Sequence, residues 1–169
     1  VALERFEREA AALASIQHDS VVSIYDRGIT EEHDPFLVME KVDGVTCSDL
    51  LNLAAEKGQF HDSTDWLKDE LGIDGVTETS YLRQVMRWIA DLADGLQAAH
   101  DVGVLHRDIK PSNVMIRKDG RAVLLDFGIA MQGDIKRLTR SDALVGTPAY
   151  LAPEALDSKV APGPSLDVY

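Results

Sequence analysis

The sequence has little cysteine, no excess of positive charge and no long apolar run. Cys47 is its only cysteine, which excludes an intrachain disulfide framework and a cysteine-based zinc site and fits a reducing compartment. No segment approaches the roughly 18 consecutive apolar residues of a membrane-spanning helix. Acidic residues outnumber basic ones by 29 to 17, and the formal charge of −12 argues against a nucleic-acid binder with a basic face. The acidity favours a solvated surface over an acidic docking site.

The chain also lacks an initiator methionine and a signal peptide at its first residues. Its last residues fall inside a predicted element, so both ends indicate a piece of a longer protein. The 169 residues, 45% of them apolar, are enough for one globular domain with a core.

The first part of the chain predicts a helix followed by a hairpin. Apolar residues at helical spacing predict a helix over 3–16. β-branched residues predict a strand over 20–29 and a second strand over 36–40, with turn residues between Gly28 and Pro35. We expect the two strands to pair antiparallel and to pack on the helix.

Two helices and an irregular segment come next. Apolar spacing predicts a helix over about 48–56, and the strongest repeat of the sequence predicts a helix over 80–100. Between them, residues 57–79 are rich in acids and glycine and have no clear pattern, which indicates an inserted excursion. Trp66 to Leu71 are expected to form a short helix on the surface.

Short strands are predicted around the motif that dominates the sequence. They cover 104–105, 114–116 and 122–125, with a hairpin turn at Asp119–Gly120. The segment His106–Asn113 therefore lies in a loop between two strands, and Asp126 comes just after a third. Strand ends and loops are where catalytic side chains are usually displayed.

This motif has the residue types that phosphoryl transfer needs. The reaction requires a carboxylate to orient the attacking hydroxyl and cations to neutralise phosphates, and Asp108 suits the first role. Asn113 and Asp126 offer the oxygen ligands that Mg²⁺ prefers, and Lys110 can steady the transferred phosphate. Any one of these residues alone is more readily a cap or turn residue. His106 is interpreted as a structural histidine rather than a metal ligand or a general base.

As a set, His106-Arg107-Asp108-x-Lys110-Pro111-x-Asn113 with Asp126-Phe127-Gly128 resembles the signature of eukaryotic-type protein kinases. Lys110-Pro111-Ser112 resembles the Ser/Thr branch. The segments 38–46 and 146–154 look most like bacterial receptor-type Ser/Thr kinases. The resemblance covers 3–169 apart from about 56–79. It implies a partial two-lobed α+β fold: 1–42 as the N-lobe remnant and hinge, and 43–169 as part of the C-lobe.

The resemblance also implies roles for single residues, with ATP and Mg²⁺ or Mn²⁺ as cofactors. Asp108 would be the catalytic base, Lys110 the phosphate-steadying lysine, and Asn113 and Asp126 the metal ligands. The residues expected around the nucleotide are the C-helix glutamate Glu9, the gatekeeper Met39, the hinge from Glu40 to Val42 that hydrogen-bonds adenine, and the floor residue Met115.

Two further groups follow from the same resemblance. The regulatory spine would consist of Leu13, Ile24, His106 and Phe127, anchored by Asp167, and a simple core role fits the apolar members equally well. Residues 126–154 would be the activation segment. There, Thr139 or Ser141 would carry a phosphate that binds Arg107, and Thr147 would lie in the substrate pocket.

Two parts of the kinase pattern are missing from the sequence. It contains no Gly-x-Gly-x-x-Gly loop and no Val-Ala-x-Lys before Glu9. Three explanations remain open: a piece of a longer kinase, a natural truncation or pseudokinase-like module, and a binding domain with the kinase shape. Without the lysine, Glu9 is expected to lack a partner, and residues 1–169 alone are expected to be inactive.

The function expected of the parent is a Ser/Thr protein kinase, and the alternative is a non-catalytic kinase-like interaction module. A phosphotransferase for small molecules is disfavoured by the segment 146–154, which resembles a peptide-substrate platform. Expected partners are Ser/Thr-containing proteins, ATP and a second kinase copy for autophosphorylation, without nucleic acid or membrane contact by this segment. We expect a cytoplasmic location, with any membrane anchor of the parent outside this segment.

Overall fold

The structure is a computed structural model that describes residues 2–32, 34–56, 63–128, 148–156 and 161–169. Within these ranges it is a mixture of helices and two small antiparallel sheets. No described helix is long and apolar enough to cross a membrane.

The first sheet is a hairpin that packs on the first helix, as expected. Helix α1 spans Ala2–Ala14, β1 spans Ile24–Ile29 and β2 spans Pro35–Met39, with β1 and β2 antiparallel. Helix α1 buries Phe6 and Leu13 on one face, which confirms the apolar spacing seen in the sequence. The predicted strand over 20–29 begins only at Ile24, because the segment before it turns away and Val21 instead bridges to Leu124 in parallel.

The second sheet lies under the dominant motif and has the order β3-β4-β5. Its strands are β3 (Gly44–Thr46), β4 (Val114–Arg117) and β5 (Ala122–Leu124). Strand β3, which begins at Gly44, was not predicted from the sequence. A Cβ at this position would lie 2.1 Å from the carbonyl oxygen of Ile116, so glycine here permits close strand pairing. The strand predicted over 104–105 is absent from the described chain, because these residues have no ladder partner.

The helical part surrounds this second sheet. Its helices are α2 (Cys47–Glu56), α3 (Asp65–Leu71), α4 (Tyr81–Asp101) and α5 (Ser165–Val168). Single 3-10 turns cover Pro111–Asn113, Pro148–Tyr150 and Pro153–Leu156. Helices α2 and α4 lie within one residue of their predicted bounds.

Helix α3 forms on the surface where the sequence predicted it, with Asp65, Lys68, Asp69 and Glu70 exposed, but its other face is buried in the core. Trp66 is 8% exposed, and Leu67 and Ile73 are fully buried. They belong to a core cluster with Leu50, Ala54, Trp88, Ile116 and Ala122. The indole nitrogen of Trp88 also donates to the Gly120 carbonyl at 2.7 Å. The buried side chains of the described part of 57–79 therefore belong to the core, since they fill the space between α2, α4 and the β4–β5 hairpin.

Shortening a side chain tests this packing directly. We expect Ile73→Val to lower the free energy of unfolding by about 1 kcal/mol, because it removes one fully buried methylene. Ile89→Val is the matched control, since Ile89 is 61% exposed on α4 and should lose less than about 0.5 kcal/mol. Urea denaturation measures both variants, and equal small losses would contradict a core role for this segment.

A second core cluster connects α1 to the motif. It contains Phe6, Ala10, Leu13, Val21, Ala99, Val104, Val114, Leu124 and Phe127. Ile24 packs against this cluster. Because Val104, Val114 and Phe127 flank the motif on three sides, the cluster fixes where the loop between them begins and ends.

Candidate active site

A buried carboxylate organises the loop between α4 and β4. Asp167 Oδ1 accepts the backbone N–H of Arg107 at 2.7 Å, and its Oδ2 accepts that of His106 at 2.9 Å. His100 Nε2 lies 2.8 Å from the same Oδ2. Arg107 has a φ of 65°, a left-handed conformation that costs free energy in a non-glycine residue. The Asp167 carboxylate therefore stabilises a strained turn directly before Asp108.

His106 is a structural residue in this geometry. Its ring is completely buried, Nε2 donates to the Leu125 carbonyl over 2.8 Å, and Nδ1 accepts the Asp108 N–H over 3.3 Å. Both ring nitrogens of the neutral form are thus satisfied. Burial lowers the pKa of His106, and the nearby Asp167 carboxylate opposes this shift. The ring orients Asp108 through the backbone and has no free nitrogen for proton transfer.

This lowered pKa predicts a dependence of stability on pH. Below about pH 6.5 the unfolded chain takes up a proton at this residue that the folded chain does not. The free energy of unfolding should therefore fall as pH drops from 7.5 to 5.5, by at most about 1.4 kcal/mol per pH unit from this group. Urea denaturation across this range should show a flatter dependence in His106→Gln but not in His18→Gln. Equal slopes in all three proteins would contradict the prediction.

The Asp108 carboxylate is held from one side. Its Oδ2 accepts Lys110 Nζ at 2.6 Å and Asn113 Nδ2 at 2.8 Å. Asn113 Nδ2 also donates to the backbone carbonyl of Asp108 at 2.8 Å. No described residue hydrogen-bonds the other carboxylate oxygen, and the side chain is 26% exposed. One oxygen is fixed by two donors and the other remains available to a hydroxyl.

Asn113 and Asp126 lie at the same end of the β4–β5 strand pair. The N–H of Leu125 donates to the Asn113 carbonyl at 2.9 Å, so Asp126 directly follows the residue that is paired with Asn113. Asp126 is exposed and has a φ of 47°. Because both amide hydrogens of Asn113 face Asp108, its side-chain oxygen is free to accept a cation. An amide oxygen with one carboxylate is a donor set that Mg²⁺ uses when phosphates and water complete its coordination. Within the described ranges, no three His, Cys, Asp or Glu side chains cluster in a way that could hold a metal by themselves.

Glu9 has a partner, which corrects the expectation that it would have none. Arg107 Nη1 donates to Glu9 Oε2 at 3.2 Å, and both side chains are largely buried. This ion pair joins α1 to the residue before Asp108. Arg107, which the sequence assigned to a phosphate, is thus already paired. The pairing joins residues 98 positions apart, so no local pattern could have predicted it.

The residues expected around adenine come from the end of β2, from the segment after it and from β4. Met39 ends β2 and Met115 lies in β4, and both are half-buried. The N–H of Glu40 donates to the Ser23 carbonyl at 2.9 Å. Among the described residues, nothing hydrogen-bonds the Glu40 carbonyl or the Val42 N–H, so both are available to a ligand.

The side chain of Glu40 is engaged elsewhere, by a residue that the sequence did not single out. Arg117 donates from Nη1 to Glu40 Oε1 at 2.5 Å and from Nη2 to Oε2 at 2.9 Å. The Arg117 guanidinium lowers the pKa of Glu40, and Glu40 in turn raises the pKa of Arg117. The sequence signal that could have pointed to Arg117 was its position two residues after Met115, which places both side chains on the same face of one strand.

The residues expected to form the spine belong to the core or pack against it. The expected phosphosites and the expected substrate residue lie outside the described ranges. Leu13 and Phe127 share one cluster, with Ile24 packed against it. The rings of His106 and Phe127 have centroids 4.6 Å apart, and Asp167 anchors the loop. Thr139, Ser141 and Thr147 lie outside the described residues.

Comparison with known proteins assigns this arrangement to a family. The family model for the protein kinase domain matches residues 2–169. This chain belongs to the protein kinase family. The chain is 38% identical over 159 residues to the probable serine/threonine-protein kinase pknA2 of Bifidobacterium longum, covering 94% of this chain and 18% of that protein. It is 36% identical over 169 residues to the serine/threonine-protein kinase PknL of Mycobacterium tuberculosis, covering 99% of this chain and 36% of that protein.

Solved structures agree with the α+β kinase fold. The kinase domain of M. tuberculosis PknI superimposes with a TM-score of 0.65 and 26% identity, covering 99% of this chain and 51% of that chain. The apo form of PpkA-294 has a TM-score of 0.67 and 24% identity, covering 99% and 50%, which supports the fold alone. The chain thus spans about half the length of these solved structures and less of the curated relatives.

Proposed function

We propose that the complete protein is a protein kinase that transfers the terminal phosphoryl group of ATP to Ser or Thr hydroxyls of proteins. The observation that carries the proposal is the Asp108 carboxylate, which Lys110 and Asn113 hold by one oxygen beside the exposed Asp126. In phosphoryl transfer the protein supplies positioning and charge, and little covalent chemistry. This arrangement supplies both.

Each residue of the site has a separate task in this proposal. The free oxygen of Asp108 orients the substrate hydroxyl and accepts its proton. Lys110 holds the Asp108 carboxylate and steadies the phosphoryl group as it moves. The Asn113 amide oxygen and Asp126 would hold Mg²⁺ or Mn²⁺. That ion, when bound, neutralises charge on the phosphates of ATP.

The proposal also assigns residues to the binding of nucleotide and of protein substrate, in line with the resemblance to protein kinases. The Glu40 carbonyl and the Val42 N–H bind adenine, with Met39 and Met115 as apolar walls, and Glu9 belongs to the regulatory helix. Thr139 and Ser141 are proposed autophosphorylation sites, modified by a second copy of the kinase, and Thr147 is proposed to contact substrate.

Residues 1–42 form the N-lobe part and hinge, and 43–169 form the C-lobe part, with 57–79 as an insertion. Because ATP is the donor, the site faces the cytoplasm.

An assay with radiolabelled ATP tests the proposal. The complete protein, supplied with Mg²⁺ and a mixture of protein substrates, should produce phosphoserine and phosphothreonine without phosphotyrosine. Residues 1–169 alone should turn over well below about 1 s⁻¹, the lower end for kinases. Label appearing only on small molecules would contradict the proposal. Nucleotide binding without any transfer would instead favour the non-catalytic kinase-like module, in which Arg107 stays paired with Glu9.

A further inference from the structure

The ion pair between Glu40 and Arg117 is a two-pronged contact between distant parts of the chain. Glu40 directly follows β2, and Arg117 is the last residue of β4, 77 positions away. The two parallel bonds measure 2.5 and 2.9 Å, and the side chains are 23% and 22% exposed. Bidentate Arg–carboxylate pairs fix geometry as well as charge, because two bonds define an orientation. This contact therefore restricts how the two segments can move relative to each other.

The two segments are the ones that carry the proposed adenine contacts. Along β4, Val114 and Ile116 are buried in the core, whereas Met115 and Arg117 are half-buried on the opposite face. Met115 therefore lies on the same strand face as Arg117, two residues before it. On the other side, Glu40 lies between Met39 and the free N–H of Val42. The ion pair thus joins the proposed floor of the adenine site to its proposed hinge.

The charges around the pair favour its formation. Glu40 and Arg117 line a cavity of about 540 Å³ together with Asp19, Asp119 and Arg121. Arg121 forms its own ion pair with Asp19 and approaches Asp119. The carboxylates of Asp119 and Asp19 add to the effect of Glu40 in raising the pKa of Arg117. Both partners are consequently charged at neutral pH, and Arg121 is occupied elsewhere.

We propose that Glu40 and Arg117 are positioning residues that hold the hinge at a fixed distance from the adenine floor and so set the affinity for nucleotide. The inference rests on the proposed function. A site held in its binding geometry loses less conformational freedom when ligand binds. Because neither side chain contacts the reacting groups, the pair acts on nucleotide binding and leaves the chemical step largely unchanged.

Calorimetry with Mg·ADP on the complete protein, together with steady-state kinetics, tests this inference. Arg117→Gln and Glu40→Gln should each raise the Kd for Mg·ADP and the KM for ATP about fivefold, with kcat within about twofold. The double variant should bind no more weakly than either single variant, because the two residues act as one unit. Arg117→Lys keeps the charge but cannot make the two parallel hydrogen bonds of the guanidinium group. Its Kd for Mg·ADP should lie between those of Arg117→Gln and the unmodified protein.

Arg121→Gln is the matched control. It removes an arginine from the same cavity and breaks an exposed ion pair with Asp19, so the Kd for Mg·ADP should not change. A Kd that is equal in Arg117→Gln and the unmodified protein would overturn the inference while leaving the kinase proposal intact. Additive losses in the double variant, or a fall in kcat alone, would overturn it as well. Failure of the unmodified protein to bind Mg·ADP would overturn both proposals.

Discussion

Replacing Asp108 by Asn in the complete protein is expected to lower kcat for Ser/Thr phosphorylation by at least about a hundredfold. A positioned general base contributes about 10²- to 10⁴-fold to such reactions. Asn has nearly the same shape, but it cannot accept the hydroxyl proton. It can still occupy the position between Lys110 and Asn113. The Kd for Mg·ADP should change by less than about twofold, because Asp108 is not among the proposed nucleotide contacts.

Asp119→Asn is the appropriate control for this variant. Asp119 is an exposed acid in the β4–β5 turn, and the same substitution there should leave kcat unchanged. Radiometric assay of both variants at saturating ATP separates a loss of chemistry from a loss of binding. If Asp108→Asn retained more than a tenth of the activity, Asp108 would not be the catalytic carboxylate.

Asp167→Ala is expected to cause the largest loss of stability of any single substitution considered for this chain, about 3–5 kcal/mol. It removes the acceptor for the backbone N–H groups of His106 and Arg107, the first of them buried, and the partner of His100. Each buried donor left without a partner costs about 1–3 kcal/mol. It also removes what holds Arg107 in its left-handed conformation. A loss of this size is a large fraction of the stability of a typical domain.

Urea denaturation measures this effect, and Asp101→Ala is the control. Asp101 is exposed near the end of α4 and accepts one bond from Gln97, so its loss should cost less than about 0.5 kcal/mol. Equal stability of the two variants would show that the loop before Asp108 is held by other contacts.

The sequence could predict the features that depend on residues close together in the chain. Helix α4 was predicted almost to its ends because its apolar residues repeat at helical spacing over 21 residues. The meeting of Asp108 and Asn113 follows from five residues of separation within one loop. Asp126 could be added because the hairpin between β4 and β5 returns the chain to the same place. For these residues, short-range geometry decides the position.

What the sequence could not predict depends on partners far along the chain. The β3 strand exists because Gly44 fits against Ile116, and one face of α3 is buried because α2 and α4 leave a space for Trp66 and Leu67. The pairs Glu9–Arg107 and Glu40–Arg117 join charges that lie 98 and 77 positions apart in the sequence, respectively. Such pairs form only once packing has brought their elements together. Secondary-structure propensity and hydrophobic periodicity therefore cannot predict them.

The contacts of Asp167 also impose an order on folding. They reach back 60 to 67 residues, to Arg107, His106 and His100, and closing a loop of that length has an entropic cost that local contacts do not carry. During synthesis, the segment around Asp108 leaves the ribosome well before Asp167 exists to bind it. The strained turn at Arg107 can therefore become stable only after α5 has been made and has docked. Helix α4 and the β4–β5 hairpin can form earlier, so the loop that carries Asp108 is among the last parts of this chain to reach its final conformation.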